Sequence, residues 1–236
     1  MPKPAISVII PALNEEKYIR NVFAGLKKQT FGNFETIVVD GGSRDRTREI
    51  ARRYSRVIIE NKRGIGRARN RGSRAARGEI LVFLDADTEP NPGLLRAYLD
   101  AFKKEKNAVA ATGPVLPLEK ASKKIDLSFR FVSKLFVRSS ILLHRPLIIG
   151  SNFAVRKDSF RIAGGFNDSF ASYEDWDLSM RLGKLGKIVY VDSASVKASI
   201  RRIKAWGIIR FMLFYIDNAA RHLVLKKPKD EYEPIR

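Results

Sequence analysis

Residues 80–84, Ile-Leu-Val-Phe-Leu, form an unbroken apolar run that ends in Asp85-Ala86-Asp87. A run this short, without polar–apolar alternation, predicts a strand buried on both faces. Such strands belong to sheets covered by helices on each side, which points the chain towards a layered α/β architecture. Two carboxylates where the strand emerges are costly to desolvate unless a cation meets them. A divalent metal carrying a phosphorylated ligand is one such cation. The competing reading is a plain strand end, because residues 85–93 are rich in Asp, Asn, Pro and Gly, which form turns.

The rest of the first half alternates in the same style. Ile6–Ile10 reads as a strand ending at Pro11, and Asn14 as the cap of a helix whose inner face carries Ile19, Val22, Phe23 and Leu26. Glu15 and Glu16 suit the positive end of that helix. Thr36–Val39 is a second strand, ending in Asp40-Gly41-Gly42-Ser43, and a helix follows with Ile50, Ala51 and Tyr54 inward. Val57–Ile59 is a third strand, residues 67–77 a basic helix, and Ala108–Thr112 a further strand. Strands alternating with helices indicate βαβ units and a mostly parallel sheet flanked by helices. Ligands of such sheets bind outside the carboxyl ends of the strands. Pro11, Asp40 and Asp85 all fall at those ends, so three separate positions converge on one edge.

With no cysteine and only His144 and His222, the chain offers no disulfide, no thiolate metal site and no His-rich zinc centre. A metal site here would be made of oxygen ligands. The 45 Lys and Arg exceed the 25 Asp and Glu by 20 charges, which favours polyanionic partners. From about residue 120 a helical stripe of Ile125, Phe129, Val132, Phe136 and Leu143, widened by Phe131, Leu135 and Leu142, runs beside Lys123, Lys124, Arg130, Lys134 and Arg138. Such a basic amphipathic helix either lies on an anionic membrane or packs on the sheet with its basic face in water. Residues 203–225 repeat the theme with Trp206, Phe211, Phe214 and Tyr215, and residues 226–236 read as a polar tail. The start of the chain lacks a signal-peptide pattern, and no stretch is long and apolar enough to span a bilayer. The expectation is a peripheral protein on the cytoplasmic face of a membrane.

Five stretches, in order, resemble the family 2 glycosyltransferases of the GT-A fold. They are residues 7–16 (SVIIPALNEE), 38–47 (VVDGGSRDRT), 66–72 (GRARNRG), 83–87 (FLDAD), and 164–170 (GGFNDSF) followed by 174–178 (EDWDL). The resemblance covers roughly residues 5–190. It implies a GT-A domain over 1–200, with a nucleotide-binding half 1–115 and an acceptor half 116–200, followed by an amphipathic extension 201–236. It also implies a nucleotide-sugar donor. Asp40 would contact the base or ribose, a role its hydrogen-bond acceptors suit. Gly41 would allow close backbone approach, and Pro11, Leu13 and Glu15 would form the other wall of the pocket. Many relatives carry an aromatic where Leu13 stands, so base stacking there would be weaker. Gly66 and Arg69 would flank the nucleotide; the same stretch lacks the third Gly of a dinucleotide fingerprint.

Asp85-Ala86-Asp87 would be the family's DXD motif. Asp87 would bind Mn2+ or Mg2+ directly, Asp85 would contact ribose or metal-bound water, and Glu89 is a candidate third oxygen ligand. Asp175 would be the general base for a hydroxyl acceptor, with Glu174 as its orienting neighbour; helix N-capping is the structural alternative for that pair. Lys197, and more loosely Arg201 and Arg202, lie where relatives place a His or basic residues facing the diphosphate. The implied activity is inverting transfer from a UDP- or GDP-linked sugar to a hydroxyl on a lipid-linked or membrane-surface acceptor. A polyprenyl-phosphate sugar synthase is the close variant, since a phosphate acceptor needs no base. A nucleic-acid-binding protein is disfavoured by the absence of any recognisable binding motif. A decayed, scaffold-like transferase is disfavoured by the intact aspartates.

Overall fold

The computed structural model describes residues 3–119, 123–143, 145–170 and 172–207, together with Arg210, Leu213 and Asp217. The chain opens as β1 (Ile6–Ala12), α1 (Ile19–Lys27), β2 (Phe34–Asp40), α2 (Thr47–Arg52), β3 (Arg56–Ile59), α3 (Ile65–Ala75) and β4 (Ile80–Leu84). It continues through β5 (Thr88–Pro90), α4 (Leu94–Lys104), β6 (Ala108–Thr112), β7 (Val115–Pro117) and α5 (Lys123–Leu142). It then forms β8 (Asn152–Arg156), α6 (Lys157–Ile162), α7 (Glu174–Gly183), β9 (Lys187–Tyr190), β10 (Val196–Ala198) and α8 (Arg201–Trp206).

Seven strands make one sheet in the order β3-β2-β1-β4-β8-β6-β9. Only β8 runs antiparallel to its neighbours; β1, β2, β3 and β4, and the β6–β9 pair, are parallel. All of β1 and β4 is buried. Alternate residues feed opposite cores, as strand geometry requires. Ile6, Val8 and Ile10 join Ile19, Val22, Leu94 and Tyr98 on one face, while Ile9, Leu81 and Phe83 join Phe153, Phe160 and Leu178 on the other. The apolar run 80–84 is thus the doubly buried strand its sequence predicts. A small second sheet, β5-β10-β7, was not anticipated; its three-residue strands are too short to carry a period.

Three local expectations need correction, besides that of an inward Tyr54, which is 54% exposed and covers Phe23 from outside. The first strand does not stop at Pro11; Pro11 pairs in register with Val39. The β1–β4 ladder ends at Ile9, so the missing N–H of Pro11 interrupts no pairing on that side. Asn14 does not cap α1, which begins only at Ile19 with no side-chain cap. Residues 14–16 instead lock onto the loop after β2, with their N–H groups donating to Ser43 Oγ, Thr47 Oγ1 and Asp45 Oδ2.

The third concerns α5. Val137 is buried and Phe129 half-buried, but Phe136 and Leu143 of the expected inner stripe are exposed, as are Leu127, Phe131, Leu135 and Leu142. The side chains of Ile125 and Val132, and all of Phe211, Phe214, Tyr215, both histidines and the tail 226–236, lie outside the described residues. Among the described residues no helix is long and apolar enough to cross a membrane.

Candidate active site

The register of β1 and β2 sets Ala12 beside Asp40, and β4 delivers Asp85 to the same edge. Gly41 N–H donates to Ala12 O at 2.8 Å, and a side chain at Gly41 would touch Leu13 at 3.6 Å. Leu13 and Gly41 are thereby adjacent, Pro11 and Asp40 lie near the ends of the paired strands beside them, and the Glu15 N–H donates to Thr47 Oγ1 across the same loop. The Asp40 carboxylate is fully buried. Its Oδ1 accepts from the Gly42 and Ser43 N–H groups, each at 3.1 Å, and from Arg48 Nη2 at 2.8 Å. Burial opposes the charge, but the bonds from Ser43 and Arg48 outweigh it and hold the carboxyl below its usual range. Asp40 Oδ2 is buried without a partner, an acceptor in need of a donor.

Ala86 is buried in the apolar core between its two flanking carboxylates. Asp85 Oδ1 accepts from Arg69 Nη2 at 2.8 Å. Asp87 Oδ2 lies 3.2 Å from Arg201 Nη2. Arg201 also clamps Glu15, at 2.8 and 2.5 Å, and stacks 4.9 Å from the Tyr18 ring. Burial, reinforced by the charge of Asp85, pushes the Asp87 carboxyl up to about 7 in spite of Arg201.

Arg69 is the hub of the site. It is 1% exposed. Its guanidinium bonds Glu174 Oε1 at 2.7 Å, Asp85 Oδ1 at 2.8 Å and Gly150 O at 2.9 Å, and lies 5.3 Å from the Phe166 ring. The family resemblance implies only a place beside the nucleotide for this residue; the structure makes it the strut between the Asp85 strand end and α7. Gly66, one turn earlier on α3, permits the approach, since a Cβ there would meet Phe166 Cβ at 3.2 Å and Glu174 Cγ at 3.6 Å. Gly66 thus packs against the segment leading into α7.

Glu174 and Asp175 occupy the first turn of α7, whose N-cap is Tyr173 in the left-handed region at φ 64°, without a side-chain cap. Neither carboxylate is the capping residue. Asp175 Oδ2 accepts the Gly150 N–H at 3.0 Å, and Oδ1 accepts that of Trp176 at 2.8 Å. A Cβ on Gly150 would sit 2.7 Å from Asp175 Oδ2, so only glycine admits this contact. Burial raises the pKa of both carboxyls, with Arg69 opposing.

Two sequence candidates stay at the margin. Glu89 lies in β5 directly across the antiparallel ladder from Lys197, which is exposed on β10. Among the described residues no three His, Asp or Glu side chains are gathered at metal-holding spacing, so Glu89 is not brought together with Asp85 and Asp87. Of Lys197 and Arg201, the one that reaches Asp87 is Arg201, because the Ser199 N–H bonds Asp87 O at 3.1 Å and leads α8 over the strand end. The donor set nonetheless suits a hard divalent cation. It is all oxygen, and burial together with the Asp85 charge disfavours an ionised Asp87 that lacks a cation.

A model of the family described as "Glycosyl transferase family 2" matches residues 7–162. Among curated proteins, the chain is 40% identical over 93 residues to a putative glycosyltransferase, EpsH, of Bacillus subtilis, covering 37% of this chain and 27% of that one. It is 25% identical over 197 residues to chondroitin synthase of Escherichia coli, covering 80% of this chain and 28% of the relative. The chain therefore spans little more than a quarter of either relative. Among solved structures, S. aureus TarS superposes with a TM-score of 0.67 at 23% identity, over 90% of this chain and 40% of that one. A mannosyltransferase from Pyrobaculum calidifontis, in complex with GDP-Man and Mn2+, superposes with a TM-score of 0.63 at 19% identity, over 92% of this chain and 65% of that one. At these identities the structural likeness shows the fold, a GT-A-like α/β sheet.

Proposed function

This chain belongs to glycosyl transferase family 2, and from that premise we propose that it is an inverting, metal-dependent transferase moving a sugar from a UDP- or GDP-linked donor to an acceptor hydroxyl. The observation that carries the reading is the Arg69 strut. One buried guanidinium joins Asp85 of the donor edge to Glu174, next to the candidate base Asp175. Donor and acceptor chemistry are thereby held in one rigid frame, which transfer by direct displacement requires.

In this reading the wall of Pro11, Leu13, Glu15 and Gly41 receives the nucleotide, and Asp40 accepts from its base or ribose. Asp87, with Asp85 beside it, would hold Mn2+ or Mg2+, which when bound neutralises charge on the diphosphate leaving group. Arg201, already at Asp87, adds a fixed positive charge on the same side. Asp175 takes the acceptor proton, and the N–H groups of Gly150 and Trp176 fix its orientation. Glu174 acts through Arg69 and is a positioning residue. The solved relatives in complex with UDP-GlcNAc, and with GDP-Man and Mn2+, support a nucleotide-sugar donor. The exposed apolar residues of α5, interleaved with exposed Arg130 and Arg138, support an acceptor presented at an anionic membrane surface.

The test is Asp175→Asn. Donor binding stays within about twofold, while transfer to a hydroxyl acceptor falls by about 10²–10⁴, the usual contribution of a general base. Normal transfer by this variant would place the base elsewhere. Melting temperatures across a panel of UDP- and GDP-sugars with Mn2+ identify the donor, since selective binding stabilises the folded state.

A further inference from the structure

At the end of the sheet opposite the aspartates lies a groove of about 1050 Å³. Ala5 and Ile80, at the amino ends of β1 and β4, line it, whereas Asp85 follows the far end of β4. Five residues of strand, about 16 Å, separate the two. The walls come from the end of α3, the end of α4 and the start of α6.

The groove concentrates uncompensated positive charge. Arg156 and Lys157 are half-buried on its floor with no carboxylate partner among the described residues, and the Arg156 guanidinium lies 5.0 Å from the Phe102 ring. Arg156 donates to Ala108 O at 2.8 Å and Phe102 O at 2.9 Å, and Lys157 Nζ to Ala76 O at 2.6 Å. Arg74 on one wall and Lys103 and Lys106 on the other are exposed, with no acidic partner among the described residues. Among the described residues Glu79 and Asp158 are the only acids lining it, and they already face Lys3 and Arg161. Five cations without counterions around one trough repel one another, and a bound anion relieves that repulsion.

We propose that this groove is a second binding site, separate from the donor cleft, for a linear phosphate polyanion. Its volume exceeds what one phosphate fills, and cations stand on both walls and on the floor, as a threaded chain of phosphates requires. Its aromatic residues, Phe102 and Phe160, are buried, so it has no platform on which bases could stack. A flat bilayer meets the rim but not the floor.

The test is calorimetry with inorganic polyphosphate of a few tens of units at low and moderate salt. Arg74→Glu/Lys103→Glu/Lys106→Glu is compared with Arg20→Glu/Lys27→Glu/Arg52→Glu, an equal change of charge on exposed residues away from the groove. The groove triple is expected to weaken binding by at least about tenfold and to lower the salt slope by about 2, at about 0.7 per lost contact. The control triple changes affinity less than about threefold. Melting temperature and UDP binding check that the groove triple is folded; Lys103→Ala/Lys106→Ala serves as the milder variant. Equal losses in both triples would reduce the effect to bulk charge and overturn the proposal. So would a groove triple that keeps polyphosphate but loses anionic vesicles, which would make the face a membrane contact, or tighter binding of single-stranded RNA than of polyphosphate.

Discussion

Arg201 Nη2 stands 3.2 Å from Asp87 Oδ2, so a residue of α8 closes over the strand end that carries the motif. The same guanidinium holds Glu15 in the opposite wall. In the chain without donor, Arg201 therefore shares Asp87 with any incoming cation. Arg201→Met is expected to tighten Mn2+ binding in the absence of nucleotide several-fold, and to weaken binding of the nucleoside diphosphate. The measurement is Mn2+ titration by electron paramagnetic resonance at pH 8.5, above the value of about 7 to which burial pushes Asp87 in the parent. Unchanged Mn2+ affinity would show that Arg201 and the metal do not compete.

Asp87 titrates near 7 when folded, against 3.8 ordinarily. The folded state thus binds the extra proton between about pH 4 and 7, and stability falls as pH rises through that window. Asp87→Asn removes this loss. At pH 8 without metal the variant should be more stable than the parent, on the order of 1–3 kcal/mol, or a few degrees in Tm. At pH 5 the difference should be less than half as large, and it should vanish below about pH 4. A variant less stable than the parent at pH 8 would contradict the assignment.

Arg69→Met leaves Glu174, 8% exposed at its side chain, and Asp85 without their shared cation. Breaking a buried pair from one side costs about 3–5 kcal/mol. Urea unfolding should show a loss of that size. Adding Glu174→Gln to Arg69→Met should recover part of it, because the stranded charge is removed. Strict additivity of the two changes would deny the coupling.

Leu135 and Phe136 are 55% and 64% exposed on α5. Leu135→Ser/Phe136→Ser should leave stability within about 0.5 kcal/mol per site, since neither side chain is buried. Flotation with anionic vesicles should drop several-fold. Undiminished flotation would take the membrane contact away from α5.

Much of this was legible in the residues. The run 80–84 implies a doubly buried strand because its pattern has no alternation, and the strand–helix alternation puts Asp40 and Asp85 at the carboxyl ends of strands on one edge. Arg201 was harder to read. Its approach to Asp87 depends on β10, three residues long and paired across 108 positions of sequence with β5, and no local pattern encodes such a pairing. Arg69 looked like one arginine among many on a basic helix; only the distant Gly150 and Glu174 distinguish it from its solvated neighbours. The inner face of α5 is narrower than its helical spacing suggests, because spacing alone does not say which apolar residues the sheet has room to cover.

Asp87 is the proposed metal anchor for the donor. Calorimetry of UDP and of GDP, with Mn2+ and with EDTA, on the parent chain and on Asp87→Ala tests it. At least one nucleotide should bind the parent about tenfold or more tightly with Mn2+ than with EDTA, and Asp87→Ala should abolish that difference. Equal affinity in all four conditions, for a nucleotide that the parent binds, would contradict the account.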